Sequence, residues 1–194
     1  MMPMVASFYT PNWEYPASAV RLRQECEGLG LDHFIQERPD AGGYLENCRQ
    51  KPVYLLEVMR RHDRPLLWID VDGSILRQPM ELEVMHVDFG ACPMRKSGRQ
   101  WHVGTLYFNN TPGALALLER WVAELDSRTS DEAALDRVWR SPGWPATTAE
   151  LPATYFAVRR SNGRIMSLRP KNRIVIMHRL STSPAKAAAK AALR

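Results

Sequence analysis

The chain lacks the cysteine pattern of a disulfide-stabilised or zinc-binding protein. It has 194 residues but only three cysteines, Cys26, Cys48 and Cys92, and no CxxC pair. An odd number at wide spacing argues against both a disulfide framework and a zinc site, and it fits a reducing compartment. We therefore expect a cytoplasmic protein that is stabilised by a hydrophobic core, which one domain of this length can bury.

Signals for secretion and for membrane insertion are also missing. Residues 1–5 (MMPMV) lack the basic region followed by an apolar region that a signal peptide needs. No apolar run in the sequence approaches the roughly 20 residues of a membrane-spanning helix. The sequence therefore predicts no membrane partner.

Acidic residues are absent after Glu150, where ten basic residues remain. Residues 1–150 hold 16 basic and 21 acidic residues, although the whole chain has a net charge of +5. Such asymmetry favours a basic face or tail for an anionic partner, while charge compensation within one fold is the alternative. We expect one domain over 1–180 and a basic, alanine- and lysine-rich tail over 181–194.

The most informative stretch that is present is Pro65–Leu76, an apolar run that ends in carboxylates. Leu66 to Ile69 has the character of a buried strand, and Asp70 and Asp72 follow it. Because residues i and i+2 of a strand point to the same side, both carboxylates are expected at the strand's carboxyl end, where open α/β sheets bind ligands. Such oxygen ligands suit Mg²⁺ or Mn²⁺ that carries phosphate. The alternative is a polar turn with Gly73 at positive φ.

The first part of the chain alternates strands and helices. The predicted order is a strand at Val5–Thr10, a helix from Tyr15 to Gly28 or Gly30, a strand at Asp32–Gln36, a helix with Pro52 in its first turn that reaches Arg61, and the strand that ends at Asp70. This βαβαβ order is typical of a parallel sheet with helices on its faces.

Later elements are shorter and less regular. The predictions are strands at Val87–Ala91, Val103–Phe108, Tyr155–Val158 and Ile174–Met177, a basic loop at Met94–Gln100, a helix capped by Thr111 with Pro112 at its first position, and a helix that begins at Ser130. Together with the first part they indicate an α/β domain.

Several runs occur in the order that one enzyme family shows. They are Lys51-Pro52, Pro65–Asp72 followed by Pro79, Val103–Pro112, Ser130–Asp136 and Ile176–Arg179. This set resembles the DxD core of GT-A glycosyltransferases, and it is most similar to small nucleotide-diphospho-sugar transferases. The resemblance implies a minimal GT-A fold, which is Rossmann-like, with a mostly parallel central sheet flanked by helices.

The resemblance also implies an activity. The chain would be a metal-dependent, hexosyltransferase-like enzyme that moves a sugar from a nucleotide-diphosphate donor, most simply a UDP-sugar, to an acceptor hydroxyl. Asp70, Asp72 and His178 would hold Mn²⁺ or Mg²⁺, and Lys51 and Arg179 would contact the diphosphate.

Other site residues follow from the same resemblance. Tyr9 and Thr10 would contact the nucleobase. Asp131 would position the donor sugar and the acceptor hydroxyl and could act as the base of an inverting reaction, with Glu132 beside it. The sequence departs from the family pattern at Glu132 and Asp136, where Gln and Asn are usual, and near His102, where Asn or Asp is usual. These positions contact donor sugar and acceptor in the family.

Each of these residues also has a structural interpretation. His178 could be a core histidine at a strand end, and Lys51 could be solvated at a helix start. Asp131 and Glu132 could simply favour the first turn of a helix, with Thr129 and Glu132 as a capping box. Trp101 and Trp144 could stack a sugar or base, or they could pack in the core or in a loop.

A second family fits the carboxylate stretch. The run from Asp70 to Leu76 is close to the D-x-D-G-T-L motif of haloacid-dehalogenase-type phosphatases, in which the first Asp is the nucleophile and the second a general acid. That family carries the motif on its first strand and needs a later acidic pair at a strand end. The nearest pair, Asp131 with Asp136, falls in helical sequence.

The acceptor is predicted to be either a saccharide or nucleic acid, such as a hydroxylated base in DNA. Ser183–Lys190 resembles linker-histone tails, which bind DNA without sequence preference, and the basic segment after Glu150 would contact phosphates. A third possibility is a binding module without catalytic activity that uses this basic tail.

Overall fold

The computed structural model describes residues 1–94, 100–160, 162–167 and 170–179. The centre of the predicted basic loop and the whole 181–194 tail lie outside these ranges, so the predicted division into domain and tail stays a prediction. The described residues form two sheets with helices on both faces of the larger one.

The larger sheet has six strands in the order β2-β1-β3-β6-β5-β7. Their bounds are β1 Met4–Tyr9, β2 His33–Glu37, β3 Leu66–Ile69, β5 Phe89–Pro93, β6 Trp101–Phe108 and β7 Thr148–Glu150. The pairs β1–β2, β1–β3 and β5–β7 are parallel, and β6 is antiparallel to both β3 and β5. The mixed α/β fold with a mostly parallel central sheet is therefore confirmed.

Strand alternation separates the two faces of this sheet. Leu66 and Trp68 of β3 pack on one face, and Leu67 and Ile69 pack on the other. Three helices cover the Trp68 face, and one covers the opposite face. The helices are α2 Tyr44–His62, α3 Pro112–Ala123 and α4 Asp131–Arg140 on the first face, and α1 Tyr15–Gly28 on the second.

The smaller sheet has four strands in the order β4-β10-β8-β9. They are β4 Ser74–Ile75, β8 Ala157–Arg159, β9 Ile165–Met166 and β10 Ile176–Arg179, and 3₁₀ turns lie at Met80–Val84, Ala153–Tyr155 and Lys171–Arg173. Because β4 directly follows the Asp70–Gly73 turn, this sheet brings the end of the chain's last described strand against the carboxylates.

Three sequence predictions on local structure were wrong. Pro52 lies in the middle of α2, not in its first turn, because the helix begins eight residues earlier at Tyr44. Contacts of the buried helix face outweigh the hydrogen bond that the proline removes. Ser130 caps α4 by accepting from the Ala133 N–H, so Thr129 is not the cap. Tyr155 lies in a 3₁₀ turn and not in a strand.

The remaining elements agree with the sequence predictions within a few residues. Thr111 caps α3 by accepting from the Ala114 N–H, with Pro112 at the first helical position. Among the described residues, none of the helices combines the length and the apolar character needed to cross a membrane.

Candidate active site

A cleft of about 210 Å³ opens at the carboxyl end of β1 and β3. Seven of the predicted site residues line it, namely Tyr9, Thr10, Lys51, Asp70, Asp72, His178 and Arg179. Asp131 is buried behind Lys51, with which it forms an ion pair. Glu132 follows Asp131 on α4 but does not line the cleft. The fold thus collects residues from five distant parts of the sequence at one edge of the sheet.

The two carboxylates are held in different ways. Asp70 directly follows β3, where its N–H donates to the Gly104 carbonyl at 2.9 Å and its Oδ1 accepts from the Trp68 indole N–H at 2.9 Å. Asp72 lies one step further on, in a turn that the Gly73 N–H closes onto the Asp70 carbonyl at 2.7 Å. Both carboxylates line the cleft. The position of Asp70 follows from the strand that it directly extends, whereas the position of Asp72 is set by the turn.

Gly73 is required by space and not by backbone conformation. Its φ is not positive, contrary to the polar-turn interpretation. A Cβ at this position would lie 2.8 Å from Ile69 Cγ2 and 2.9 Å from the Asp70 carbonyl oxygen. The turn therefore folds back tightly on the end of β3, and this places Asp72 beside the cleft.

Two residues of α1, Arg21 and Glu25, bind the backbone of the turn at residues 70–73, which we call the carboxylate turn, and of the strand that follows it. The sequence analysis did not predict these contacts. The Arg21 guanidinium donates to the carbonyls of Gly73 at 3.0 Å and Val71 at 3.5 Å, on either side of Asp72. Glu25 accepts from the Ile75 N–H at 2.9 Å and lies 3.6 Å from Arg21. Their i, i+4 spacing was visible in the sequence, but nothing there indicated the loop that they contact.

Lys51 connects the first carboxylate to α4. Its Nζ lies 2.8 Å from Asp131 Oδ2 and 3.1 Å from Asp70 Oδ1, and it donates to the Val103 carbonyl at 3.1 Å. Burial disfavours the ammonium, but Asp131 and Asp70 outweigh burial and raise the pKa of Lys51. The interpretation of Lys51 as a solvated helix-start residue is wrong, since only 5% of it is exposed.

Asp70 is stabilised as a carboxylate by its surroundings. Burial raises its pKa, but Lys51, followed by His178 and His102, outweighs burial, so that the pKa of Asp70 is lowered. The cleft therefore contains an ionised Asp70 next to a charged Lys51.

His178 is the penultimate residue of β10, and its Nδ1 would lie 3.7 Å from a Cβ placed on Gly73 of the carboxylate turn. Its Nε2 pairs with the Thr105 hydroxyl at 2.8 Å, and its ring packs against His102 with centroids 4.5 Å apart. Burial lowers the pKa of both imidazoles, that of His102 to about 3. His178 is therefore a neutral imidazole whose Nδ1 is not engaged by Thr105, which is the form that ligates metals.

Gly104 makes this convergence possible. A Cβ on Gly104 would lie 2.5 Å from His102 Cε1, 2.9 Å from His178 Cε1 and 3.1 Å from Asp70 Oδ2. Only a residue without a side chain lets β6 pass beneath these three groups.

The donor types fit a divalent cation, but they do not form a closed site. Two carboxylates and a neutral imidazole are suitable ligands for Mn²⁺ or Mg²⁺. Within the described ranges, however, no three His, Cys, Asp or Glu side chains are arranged to hold an ion as they stand. Binding an ion between Asp70, Asp72 and His178 would therefore require a side chain to move.

One wall of the cleft is aromatic and was not predicted. Trp13 lies between Tyr15 and Tyr44, with ring centroids 5.4 Å and 6.4 Å away. Its backbone has φ +54°, a conformation that a non-glycine residue rarely adopts. In the sequence prediction this region is only the gap between the strand at Val5–Thr10 and the helix from Tyr15. Asn47 and Cys48 of α2 also line the cleft, and they were missed because the helix was expected to have Pro52 in its first turn.

The two other tryptophans named from sequence are packing residues. Trp101 is buried on the α2–α4 face of the sheet, and its ring contacts Trp139 and Phe89. Trp144 packs against the same two rings. Neither lines the cleft, so the stacking interpretation is wrong for this cleft.

The fold does not support the phosphatase alternative. Asp70 follows the third strand along the chain, not the first. The acidic pair that this family needs at a strand end would be Asp131 and Asp136, and both lie in α4. Asp136 accepts from the Gln100 N–H at 2.9 Å.

Comparison with known proteins shows similarity in structure only. No protein-family model and no curated protein sequence matches the chain. A glycosyltransferase involved in the glycosylation of the major capsid of PBCV-1 superposes with a TM-score of 0.65 and 10% identity, and 98% of each chain is covered. The chain therefore shares the fold of this glycosyltransferase.

Two further structures agree with this result. Mouse xyloside xylosyltransferase 1 gives a TM-score of 0.54 at 10% identity, covering 94% of this chain and 99% of that one. The galactosyltransferase LgtC, in complex with donor and acceptor sugar analogues, gives 0.51 at 8% identity, covering 92% and 88%. For GlyE of Streptococcus pneumoniae, in contrast, the fold spans only 55% of the matched chain.

Proposed function

We propose that this protein is a glycosyltransferase that transfers a sugar from a nucleotide-diphosphate donor, most simply a UDP-sugar, to an acceptor hydroxyl. The observation that carries the proposal is the meeting of Asp70, Asp72, His178 and the Lys51–Asp131 ion pair in one cleft of a glycosyltransferase fold. A turn that only ended a strand would not need His178 or the Lys51–Asp131 ion pair beside its carboxylates.

In this proposal the donor lies along the cleft from its aromatic wall to the carboxylates. Trp13 offers a flat face for the nucleobase next to Tyr9 and Thr10. The Thr10 hydroxyl is buried without a hydrogen-bond partner among the described residues, which suits a bond to a ligand. Arg179, whose guanidinium donates to the Ser74 hydroxyl at 3.3 Å, also lines the cleft and would contact the diphosphate.

A divalent cation, when bound by Asp70, Asp72 and His178, would neutralise charge on the departing diphosphate. The bond between the sugar carbon and the diphosphate oxygen breaks, and its electron pair leaves with the nucleotide diphosphate. The acceptor oxygen forms the new bond, and its proton passes to a base.

Lys51 would contact the diphosphate, and Asp131 would position the donor sugar and the acceptor hydroxyl. The Lys51 ammonium is fixed by two carboxylates and a carbonyl, so it needs no reorganisation when charge develops nearby. Asp131 holds Lys51 in place, and its role as the base of an inverting reaction stays a prediction, as does the role of Glu132.

A thermal-shift screen of nucleotide sugars with and without Mn²⁺ tests the proposal. A ligand that binds only the folded state raises stability by about 2.7 kcal/mol at a hundred times its Kd. We expect UDP or a UDP-sugar with Mn²⁺ to raise the melting temperature and other nucleotides to raise it less. If no nucleoside diphosphate or sugar nucleotide shifts the melting temperature, with or without metal, the proposal is wrong.

A hydrolysis assay separates an enzyme from a binding module without activity. UDP release from the best-binding sugar nucleotide, with water in place of the acceptor, is the measurement. In this proposal the acceptor is either a saccharide or nucleic acid. The charge of the protein surface beside the cleft is relevant to which of the two it is.

A further inference from the structure

The small sheet carries an arginine-rich hairpin directly beside the cleft. Strands β8 and β9 pair antiparallel. Among the described residues that join them, the Arg160 N–H donates to the Arg164 carbonyl and the Gly163 N–H donates to the Arg160 carbonyl. Gly163 has φ +78°, which this tight turn requires. The side chains of Arg159, Arg160 and Arg164 are exposed.

The register of the sheet connects this hairpin to the candidate active site. On the parallel pair β8–β10, Arg159 is the partner of Arg179, and Val158 is the partner of His178. Partners on neighbouring strands lie about 5 Å apart. The arginines thus form a track that begins at Arg179 inside the cleft and continues through Arg159 to the hairpin turn.

The three exposed arginines of this track are not paired with carboxylates within the described part of the chain. Arg159, Arg160 and Arg164 form no ion pair with any described carboxylate, whereas Arg38, Arg49, Arg60, Arg64 and Arg137 each do. The sequence contains no acidic residue after Glu150. Exposed guanidinium groups without carboxylates are suited to phosphate, which they can bind with two parallel hydrogen bonds.

We propose that the β8–β9 hairpin binds the phosphate backbone of a nucleic acid and thereby delivers it, as the acceptor, to the cleft. The part about the acceptor rests on the proposed function, but the binding itself does not. A two-stranded hairpin is narrow enough for the major groove of duplex DNA, which is about 12 Å wide.

A membrane surface fits this hairpin less well. Peripheral membrane binding needs a row of apolar side chains next to the basic ones. In the described part of the hairpin, Met166 is the one exposed large apolar side chain. Phosphate contacts of nucleic acid need no apolar insertion.

An electrophoretic mobility shift assay with the full chain and a 20-base-pair duplex, without donor or metal, tests this inference. The variant Arg160→Gln/Arg164→Gln removes two charges at the hairpin turn. The matched control Arg60→Gln/Arg61→Gln removes two exposed charges at the end of α2, at the opposite edge of the large sheet. Since each phosphate contact contributes about 0.9 to the slope of log K against log salt, the hairpin variant should reduce the slope by about 2.

Each outcome decides the matter. DNA binding that weakens with salt, and whose slope falls in the hairpin variant but not in the control, supports the inference. The inference is overturned if the protein does not bind DNA at 50 mM salt, or if all three proteins show equal slopes. It is also overturned if the protein binds phosphatidylserine vesicles or heparin but not DNA. UDP binding by the hairpin variant is measured in parallel, because its presence or absence reports on the proposed transferase independently of DNA.

Discussion

The two edges of the large sheet both carry a carboxylate that is held by several partners, but the partners differ in kind. At the carboxyl edge, Asp70 faces the Lys51 ammonium and open cleft. At the amino edge, Asp88 accepts from the Thr111 hydroxyl at 2.6 Å and from the Thr147 N–H and hydroxyl at 2.7 and 2.8 Å. Asp88 thus ties the start of β5 to the start of α3 and to the chain before β7.

The difference indicates what each edge is for. The donors around Asp88 are neutral groups of the local backbone and side chains, so they stabilise one conformation and leave little for a ligand. Asp70, in contrast, lies 3.1 Å from a charged group, the Lys51 ammonium, and the charged side chains of Asp72 and Arg179 line the same open cleft. Charged groups that line an open cleft can exchange partners with a charged ligand, which neutral hydrogen bonds at a loop junction cannot do.

The largest effect on activity, and the clearest test of a functional role for the carboxyl edge, should come from removing one carboxylate charge in the cleft. Asp72→Asn should abolish metal-dependent turnover of the donor and leave the free energy of unfolding nearly unchanged, because an amide is a poor ligand for a hard cation. Donor turnover and urea unfolding are the measurements, and Asp32→Asn, at an exposed carboxylate before β2, is the control. Turnover by Asp72→Asn at the wild-type rate would exclude Asp72 from the metal site.

Removing the buried cation should have the largest effect on stability. Lys51→Met leaves Asp131, of which 4% is exposed, without its counter-ion. Breaking a buried ion pair from one side costs about 3–5 kcal/mol. Arg60→Met breaks the exposed pair with Glu119 and should cost no more than about 1 kcal/mol. Similar losses in the two variants, measured by urea unfolding, would contradict the description of Lys51 as a buried structural cation.

Features that depend on neighbouring residues could be predicted from the sequence, whereas contacts between distant residues could not. The βαβαβ order, the Thr111 cap and the Asp70 position follow from local patterns, and the structure has all three. The contacts of Arg21 with the carboxylate turn join residues about 50 positions apart, and no local pattern indicates them. The start of α2 was missed because Pro52 is a strong local signal that tertiary packing overrides.

The crowded glycine beneath the cleft gives a third test. In Gly104→Ala, the new Cβ would meet His102 and His178, so we expect a loss of about 1–3 kcal/mol from overpacking and weaker nucleotide binding with Mn²⁺. Gly28→Ala is a matched control, since a Cβ there meets nothing within 4 Å and Gly28 is the last residue of α1, where we expect a change of at most about 0.5 kcal/mol. Urea unfolding and thermal shift with UDP and Mn²⁺ measure both effects. Wild-type stability in Gly104→Ala would mean that the histidines can move aside.

The smallest effect is expected at the amino edge, and it should depend on pH. Burial raises the pKa of Asp88, but its bonds with Thr111 and Thr147 outweigh burial and lower it. A carboxyl group whose pKa is lower in the folded state stabilises the protein above its unfolded pKa of about 3.9, and this contribution is lost as the pH falls through the folded pKa. Asp88→Asn should therefore cost about 1–2 kcal/mol at pH 7. The cost should be smaller at pH 3, below the unfolded pKa, where the carboxyl group of the unfolded wild-type chain is largely protonated and the contribution of its charge is being lost. Donor turnover should not change, because Asp88 lies at the edge opposite the cleft. Urea unfolding at both pH values measures the stability, and a loss that stays constant with pH would show that the charge of Asp88 does not matter.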